Sequence, residues 1–166
     1  MPVEPLGKKH DRRNFQCGVP ALDRYFRELA GQHDRRGVAA VYVLPGDDGK
    51  RVIGYYTLSN LSVRLEVLPN ALMKGLPGHQ ELPAFLIGRL AVDEDFMGQG
   101  HGAYLLADAL HRCTEYRHLS GALFIVVDAK DETSAEFYAC HGFVRLTDDP
   151  NRLAIAMKTV EQAFKR

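Results

Sequence analysis

The chain has 166 residues and carries 21 Lys and Arg against 21 Asp and Glu, a formal net charge of zero. That length gives a single domain, residues 1–166, with room for a real core, and balanced charge excludes a protein that coats nucleic acid by bulk electrostatics. With 46% hydrophobic and 25% charged residues the composition is that of a soluble globular protein, and the longest apolar runs, such as Ala122–Val127, are far too short to cross a bilayer.

The opening MPVEPLGKKHDRR has no apolar stretch of signal-peptide type, so a cytoplasmic protein is expected. Cys17, Cys113 and Cys140 are odd in number and widely spaced, which fits neither a disulfide framework nor a zinc site; reduced thiols are expected. Charge is uneven: residues 8–36 hold eight Lys and Arg against four Asp and Glu, leaving +4 there and −4 in the rest. A basic third of this kind meets phosphates or forms a solvated helix face, and charge alone leaves both open.

Val19–His33 reads as a helix, because Leu22, Phe26 and Leu29 recur at helical spacing and Pro20 suits a first turn. Val38–Leu44 is strand-like, PGDDGK is a turn, and Arg51–Leu61 is a second strand that completes a hairpin. Tyr55 and Tyr56 alternate across that strand, so one is expected to point inward and the other toward an acceptor cleft. Residues 65–83 hold Pro69, Gly75, Pro77, Gly78 and Pro83, which predicts an irregular excursion or a short helix. Phe85–Val92 is a third strand. After the glycine-rich DEDFMGQGHG, Ala103–Tyr116 sets Leu105, Leu106, Ala109, Leu110 and Cys113 on one helical stripe. Ala122–Asp128 is a continuous apolar run and reads as a buried strand. Glu132–Cys140 is a short helix ending at Gly142, with Phe143–Leu146 and Leu153–Met157 as closing strands. A hairpin followed by strand–helix–strand–helix–strand is an α/β sandwich with a mixed sheet covered on both faces.

The stretch from residue 86 to 110 is the most informative. A strand runs into Gly98, Gly100 and Gly102 and then directly into an amphipathic helix. Glycine lets the backbone turn tightly and lets a ligand approach main-chain N–H groups. The helix's first turn adds unpaired donors and a partial positive charge, which together suit an anion such as a pyrophosphate. The G-x-G-x-G spacing matches neither a P-loop nor a dinucleotide fingerprint. Taken alone, the glycines also suit a tight strand–helix turn that holds no ligand.

Two motifs in order decide more. Met97-Gly98-Gln99-Gly100-His101-Gly102 between strand and helix, with FYACHGF (Phe137–Phe143) downstream, resembles the signature of the GNAT superfamily of N-acetyltransferases over nearly the whole chain. Met97 departs from that signature, which has Arg or Gln there, so some polar contact is expected to be lost. The resemblance implies a GNAT fold with a mixed, mostly antiparallel central sheet flanked by helices, and acetyl-CoA as cosubstrate. It lays Leu90, Ala91 and Val92 along the pantetheine arm, with the Val92 N–H polarising the thioester carbonyl. It puts Met97, Gly98, Gln99, Gly100, His101, Gly102 and Ala103 around the pyrophosphate. It also makes Tyr138 the general acid: a phenol with a pKa near 10 donating to a thiolate whose conjugate acid lies near 8.5.

FQCGVPALDRYF (Phe15–Phe26), GYYTLS (Gly54–Ser59), IGRLAVD (Ile87–Asp93) and FYACHGF are similar, more narrowly, to the acetyltransferase toxins of bacterial type II toxin–antitoxin systems. That resemblance implies the α-amine of aminoacyl-tRNA as acceptor, a block of translation, a small ribbon-helix-helix antitoxin as partner, and a homodimer. An RNA acceptor needs a phosphate-binding surface, for which Arg24, Arg27, Arg35, Arg36 and Arg89 are the candidates; Arg89 suits an ion-paired structural place as well. An α-amine with a pKa near 8 is already largely neutral, so no carboxylate base is required. Asp128, Asp131 and Glu132 read instead as caps. His10, His33, His79, His101, His111, His118 and His141 show no ligand spacing, and no metal is expected. An acetyltransferase for a small amine or a protein, and a non-catalytic acetyl-CoA-binding corepressor subunit, are the alternatives.

Overall fold

The PGDDGK turn does close a hairpin in the computed structural model, which describes residues 2–76 and 81–165. Strand β1 (Glu4–Pro5) pairs antiparallel with β2 (Ala40–Pro45), and β2 pairs antiparallel with β3 (Val52–Arg64). Between β1 and β2 run helix α1 (Pro20–Arg24), a π-helical turn (Tyr25–Leu29) and α2 (Ala30–Arg36). After β3 come a 3-10 turn at Leu65–Val67 and the short helix α3 (Asn70–Met73), the irregular excursion expected from the sequence. Pro77, Gly78 and His79 lie outside the described residues. Then follow β4 (Glu81–Val92), α4 (His101–Tyr116), β5 (Phe124–Asp128), α5 (Glu132–Cys140), β6 (Val144–Arg145), β7 (Arg152–Ala156) and α6 (Met157–Phe164). Among the described residues seven strands form one mixed sheet in the order β1-β2-β3-β4-β5-β7-β6, with β4 and β5 parallel. The α/β class and the mostly antiparallel sheet agree with the expectation.

Packing groups the chain into two compact units, Met1–Ser59 with Gly88–Ala109 and Asn60–Ile87 with Leu110–Arg166. The first is built on aromatic rings. Phe26 stacks on Tyr55 at 4.3 Å, and Phe15 meets both edge-on at 5.0 and 5.4 Å. The π turn changes which residues reach that core. Ala30 N–H bonds to the Tyr25 carbonyl five residues back, so the helix face slips by one position. Tyr25, Phe26 and Ala30 are buried, whereas Leu29, expected inside at regular spacing, is 41% exposed. Arg12 reaches over Gly31 to the Phe26 and Arg27 carbonyls at 3.4 and 3.3 Å, supplying donors where the widened turn loosens the helical ladder.

Gly37 ends α2 with φ +76°, a left-handed conformation that relieves the last carbonyls. Nothing lies within 4 Å of a Cβ added there, so Gly37→Ala isolates backbone strain. A loss of about 1 kcal/mol is expected, read as a lower urea midpoint with an unchanged slope; a gain in stability would contradict the assignment.

The second unit buries Leu82, Ala84, Phe124, Val126, Leu146 and Ala154 with Val63, Val67 and Leu68. β4 starts at Glu81 and takes in Pro83, so it is longer than the Phe85–Val92 read from sequence. Proline is tolerated there because only its carbonyl is used, accepting from Leu123 N–H at 2.9 Å. The last expected strand, Leu153–Met157, gives up Met157 to α6, whose Met157 and Val160 face inward.

Candidate active site

In the first unit the end of β4 is tied down by Asp93, which is buried. Its carboxylate accepts from Gln16 N–H at 3.0 Å and Asp95 N–H at 2.9 Å, with Arg51 Nη2 at 3.6 Å. Its own N–H donates to the Ile53 carbonyl at 2.8 Å. In the sequence Asp93 is only the last letter of IGRLAVD, and nothing near it in the chain marks this role. These contacts fix the direction in which Leu90, Ala91 and Val92 run. A 3-10 turn, Glu94–Phe96, leads from Asp93 to Met97, with Arg51 also covering the Phe96 ring.

The glycine loop follows. Gly98 and Gly100 have φ of +77° and +83°, which L side chains rarely adopt, and no atom lies within 4 Å of a Cβ added at either. The loop therefore needs glycine for its path and presents open main chain. Met97, in the position that departs from the superfamily signature, is 50% exposed, and Gln99 is exposed. Tyr104 N–H makes its helical bond to the Gly100 carbonyl at 3.1 Å. The amides of His101, Gly102 and Ala103 precede that bond and belong to the first-turn donors that a helix cannot pair with itself. A sixteen-residue helix behind them adds the positive end of its dipole. The donor set fits a pyrophosphate.

In the second unit Tyr138 sits on α5. Its ring is only 4% exposed and lies edge-on between Phe137 and Phe143 at 5.3 and 5.7 Å. Among the described residues no hydrogen-bond partner meets its hydroxyl. Burial pushes this phenol above its ordinary pKa, and the Asp128 carboxylate adds to the rise. The neighbouring acids are engaged. Asp131 caps α5 by accepting from Ser134 N–H at 2.8 Å. Arg145 bonds both Glu132 oxygens at 3.1 and 2.7 Å and holds that carboxyl below the usual range. Arg152 grips Asp128 at 2.7 and 3.1 Å.

Tyr55 and Tyr56 do point to opposite faces, but neither opens onto a cleft, since both are fully buried. Tyr55 donates to the Leu22 carbonyl at 2.9 Å inside the aromatic core, and Tyr56 stacks on Tyr42 and donates to Asp108. The expectation that one faces the acceptor is overturned, because both faces of β3 are covered here.

Of the basic candidates, Arg24, Arg35 and Arg36 are exposed on α1 and α2. Arg27 is exposed as well, but its Nε and Nη2 are engaged in donating to the Phe15 carbonyl. Arg89 is half-buried over the Tyr25 ring, its guanidinium carbon 3.6 Å from the ring centre, and not in an ion pair with any described residue. Cys17 and Cys113 are buried thiols and Cys140 is an exposed one; burial pushes Cys113 up to about 12. Among the described residues no group of three His, Cys, Asp or Glu side chains is placed to hold a metal, and no helix is long and apolar enough to cross a membrane.

A family model described as an acetyltransferase (GNAT) domain matches residues 37–145. The chain is 31% identical to a probable toxin TacT of Sinorhizobium fredii (strain NGR234), covering 95% of this chain and 92% of that protein. It is 33% identical to a tRNA-acetylating toxin of Mycobacterium tuberculosis, covering 89% and 87%. Among solved structures it is similar to a tyrosine-to-phenylalanine mutant of KacT, with a TM-score of 0.91, 30% identity and 98% of both chains covered. It is also similar to AtaT complexed with acetyl-methionyl-tRNAfMet, with a TM-score of 0.90, 28% identity and 99% of both covered. AtaT with its antitoxin AtaR, bound with acetyl-CoA, matches at a TM-score of 0.87, 28% identity and 99% and 98% coverage.

Proposed function

We propose, from the premise that this chain belongs to the GNAT acetyltransferase family, that it acetylates the α-amine of aminoacyl-tRNA and so blocks translation. The enzyme is an acyl-CoA-dependent N-acetyltransferase whose cosubstrate is acetyl-CoA. The observation that carries the acceptor is the 33% identity, over 89% of this chain, to a tRNA-acetylating toxin. Residues 1–166 act together as one catalytic domain in this reading.

Bound acetyl-CoA supplies the thioester. The loop Met97–Gly102 and the first-turn amides through Ala103 hold its pyrophosphate, and Leu90–Val92 line its arm. The neutral α-amine attacks the carbonyl directly, while the Val92 N–H receives the charge that builds on oxygen. Tyr138 gives its proton to the departing thiolate, and the proton that the nitrogen sheds on becoming an amide passes to water, which restores the phenol. The Asp93 contacts keep Val92 in place, so the donor costs no reorganisation during the reaction. Arg24, Arg35 and Arg36 meet tRNA phosphates. A small ribbon-helix-helix antitoxin is the partner, and of this the AtaT–AtaR complexes support that an antitoxin binds; a homodimer in the cytoplasm is the working form.

Intact-mass analysis of charged tRNA after incubation with acetyl-CoA tests the reaction. One added acetyl group on the aminoacyl end is expected, and enzyme that modifies no charged tRNA overturns the proposal. Reversing Arg35 and Arg36 to Glu should weaken tRNA binding and reduce its log–log salt slope by about 1–2, as the loss of one or two phosphate contacts requires. An unchanged slope would remove these two arginines from the interface.

A further inference from the structure

Arg89 leaves β4 on the same face as Ala91 and is fixed at two points. Its N–H donates to Thr57 Oγ1 at 3.1 Å, and its guanidinium carbon lies over the ring of buried Tyr25, 3.6 Å from the ring centre. The acid that acts electrostatically on Tyr25 is Asp34, whose Oδ1 is committed to Val41 N–H at 3.0 Å. At its hydroxyl end Tyr25 meets an imidazole: the hydroxyl lies 3.1 Å from His33 Nδ1 and the two rings are edge-on at 5.2 Å. With the hydroxyl donating to Nδ1, the His33 proton sits on Nε2, where no described residue accepts it.

Tyr25 thus carries on its ring a guanidinium with no ion-pair partner among the described residues and, at its hydroxyl, the His33 imidazole. A guanidinium spread on an aromatic face keeps its edge donors for a planar or tetrahedral oxyanion. Position along the strand says which oxyanion. Arg89 precedes Val92 by three residues, about 10 Å of extended chain. In an aminoacyl-tRNA, eight bonds separate the α-amine from the 5′-phosphorus of the terminal adenosine, about 8–10 Å when extended. An amine at the Val92 carbonyl site therefore puts that phosphate level with Arg89 along the strand.

We infer that Arg89 and His33, held by Tyr25, form a subsite for the 5′-phosphate of the acceptor's terminal nucleotide. The inference rests on the aminoacyl-tRNA reading and makes Arg89 a specificity residue for it. The test compares two small acceptors, an aminoacyl-adenosine and the same molecule with a 5′-phosphate, alongside charged tRNA. In the wild-type enzyme the phosphate should lower KM by about tenfold or more, the value of charge-assisted hydrogen bonds to one anion. In Arg89→Gln that KM ratio should collapse toward one. Arg89→Lys, which keeps charge without the planar fork, should retain part of it, and His33→Ala should reduce it. A merely structural Arg89 would change both acceptors alike and leave the ratio where it was. A wild-type enzyme indifferent to the phosphate, or an Arg89→Gln enzyme with the wild-type ratio, overturns the subsite while tRNA acetylation stands. Failure to acetylate charged tRNA at all overturns the parent reading instead.

Discussion

Tyr138→Phe is expected to lower kcat by about 10²–10⁴-fold, the range for loss of a positioned general acid, while the dissociation constant for acetyl-CoA stays close to wild type. The change removes one hydroxyl from a ring that Phe137 and Phe143 already pack edge-on, so the phenylalanine ring keeps its place. That hydroxyl makes no hydrogen bond to a described residue, and its loss leaves no orphaned partner in the fold. A structural role therefore predicts little effect, and a catalytic one predicts about 3–5 kcal/mol on the barrier. Stopped-flow or radiolabel turnover with charged tRNA, paired with calorimetric acetyl-CoA binding, separates the two; wild-type turnover would end the assignment. The pH profile gives an independent check. An acid must be protonated to act, and burial together with Asp128 raises this phenol above its ordinary value, which is near 10. The protonated form therefore persists throughout the range in which an α-amine of pKa near 8 becomes neutral. The rate should climb through the amine's ionisation and hold level to about pH 10. An alkaline fall in kcat well below that would point to a different acid.

Local punctuation made much of this legible in the sequence. The bounds of α5 were readable because Asp131 caps its start and Gly142, with φ +94°, lies just past its end. The glycine loop was readable because positive φ at Gly98 and Gly100 requires that residue type. What stayed hidden depends on partners distant in sequence. Alternation told that Tyr55 and Tyr56 face opposite ways, but not that Phe26 and Tyr42 cover both faces. Regular helical spacing put Leu29 inside, and only the π turn, steadied by Arg12, moves it out. Helix α6 begins at Met157, and Ala156 before it offers no side-chain cap, so nothing marked where strand became helix. In the site, Asp93 acts through Gln16, 77 residues away, and Arg89 through Tyr25. Neither pair leaves a spacing pattern.

Gly54 joins the fold to the site, and Gly54→Ala is expected to damage both. A Cβ there would lie 2.6 Å from Leu105 Cδ1 and 2.8 Å from the Ala91 carbonyl oxygen. The leucine tip is fully buried, and the carbonyl belongs to backbone, so neither yields cheaply. One methyl forced into such a space costs about 1–3 kcal/mol, larger than the strain set by Gly37→Ala, where the surroundings are empty. The route of relief matters more than its size. Ala91 lies on the strand proposed to run beside the thioester, and Leu105 follows the glycine loop on α4, so movement of either displaces cofactor-binding backbone. Gly54→Ala should therefore lower the urea midpoint and also weaken acetyl-CoA binding, whereas Gly37→Ala lowers only the midpoint. Equal acetyl-CoA affinity in the two variants would mean that β4 and α4 absorb the methyl without moving the loop between them. Gly54→Val should worsen both defects, because its branches press on the same two atoms with no free rotamer to escape into.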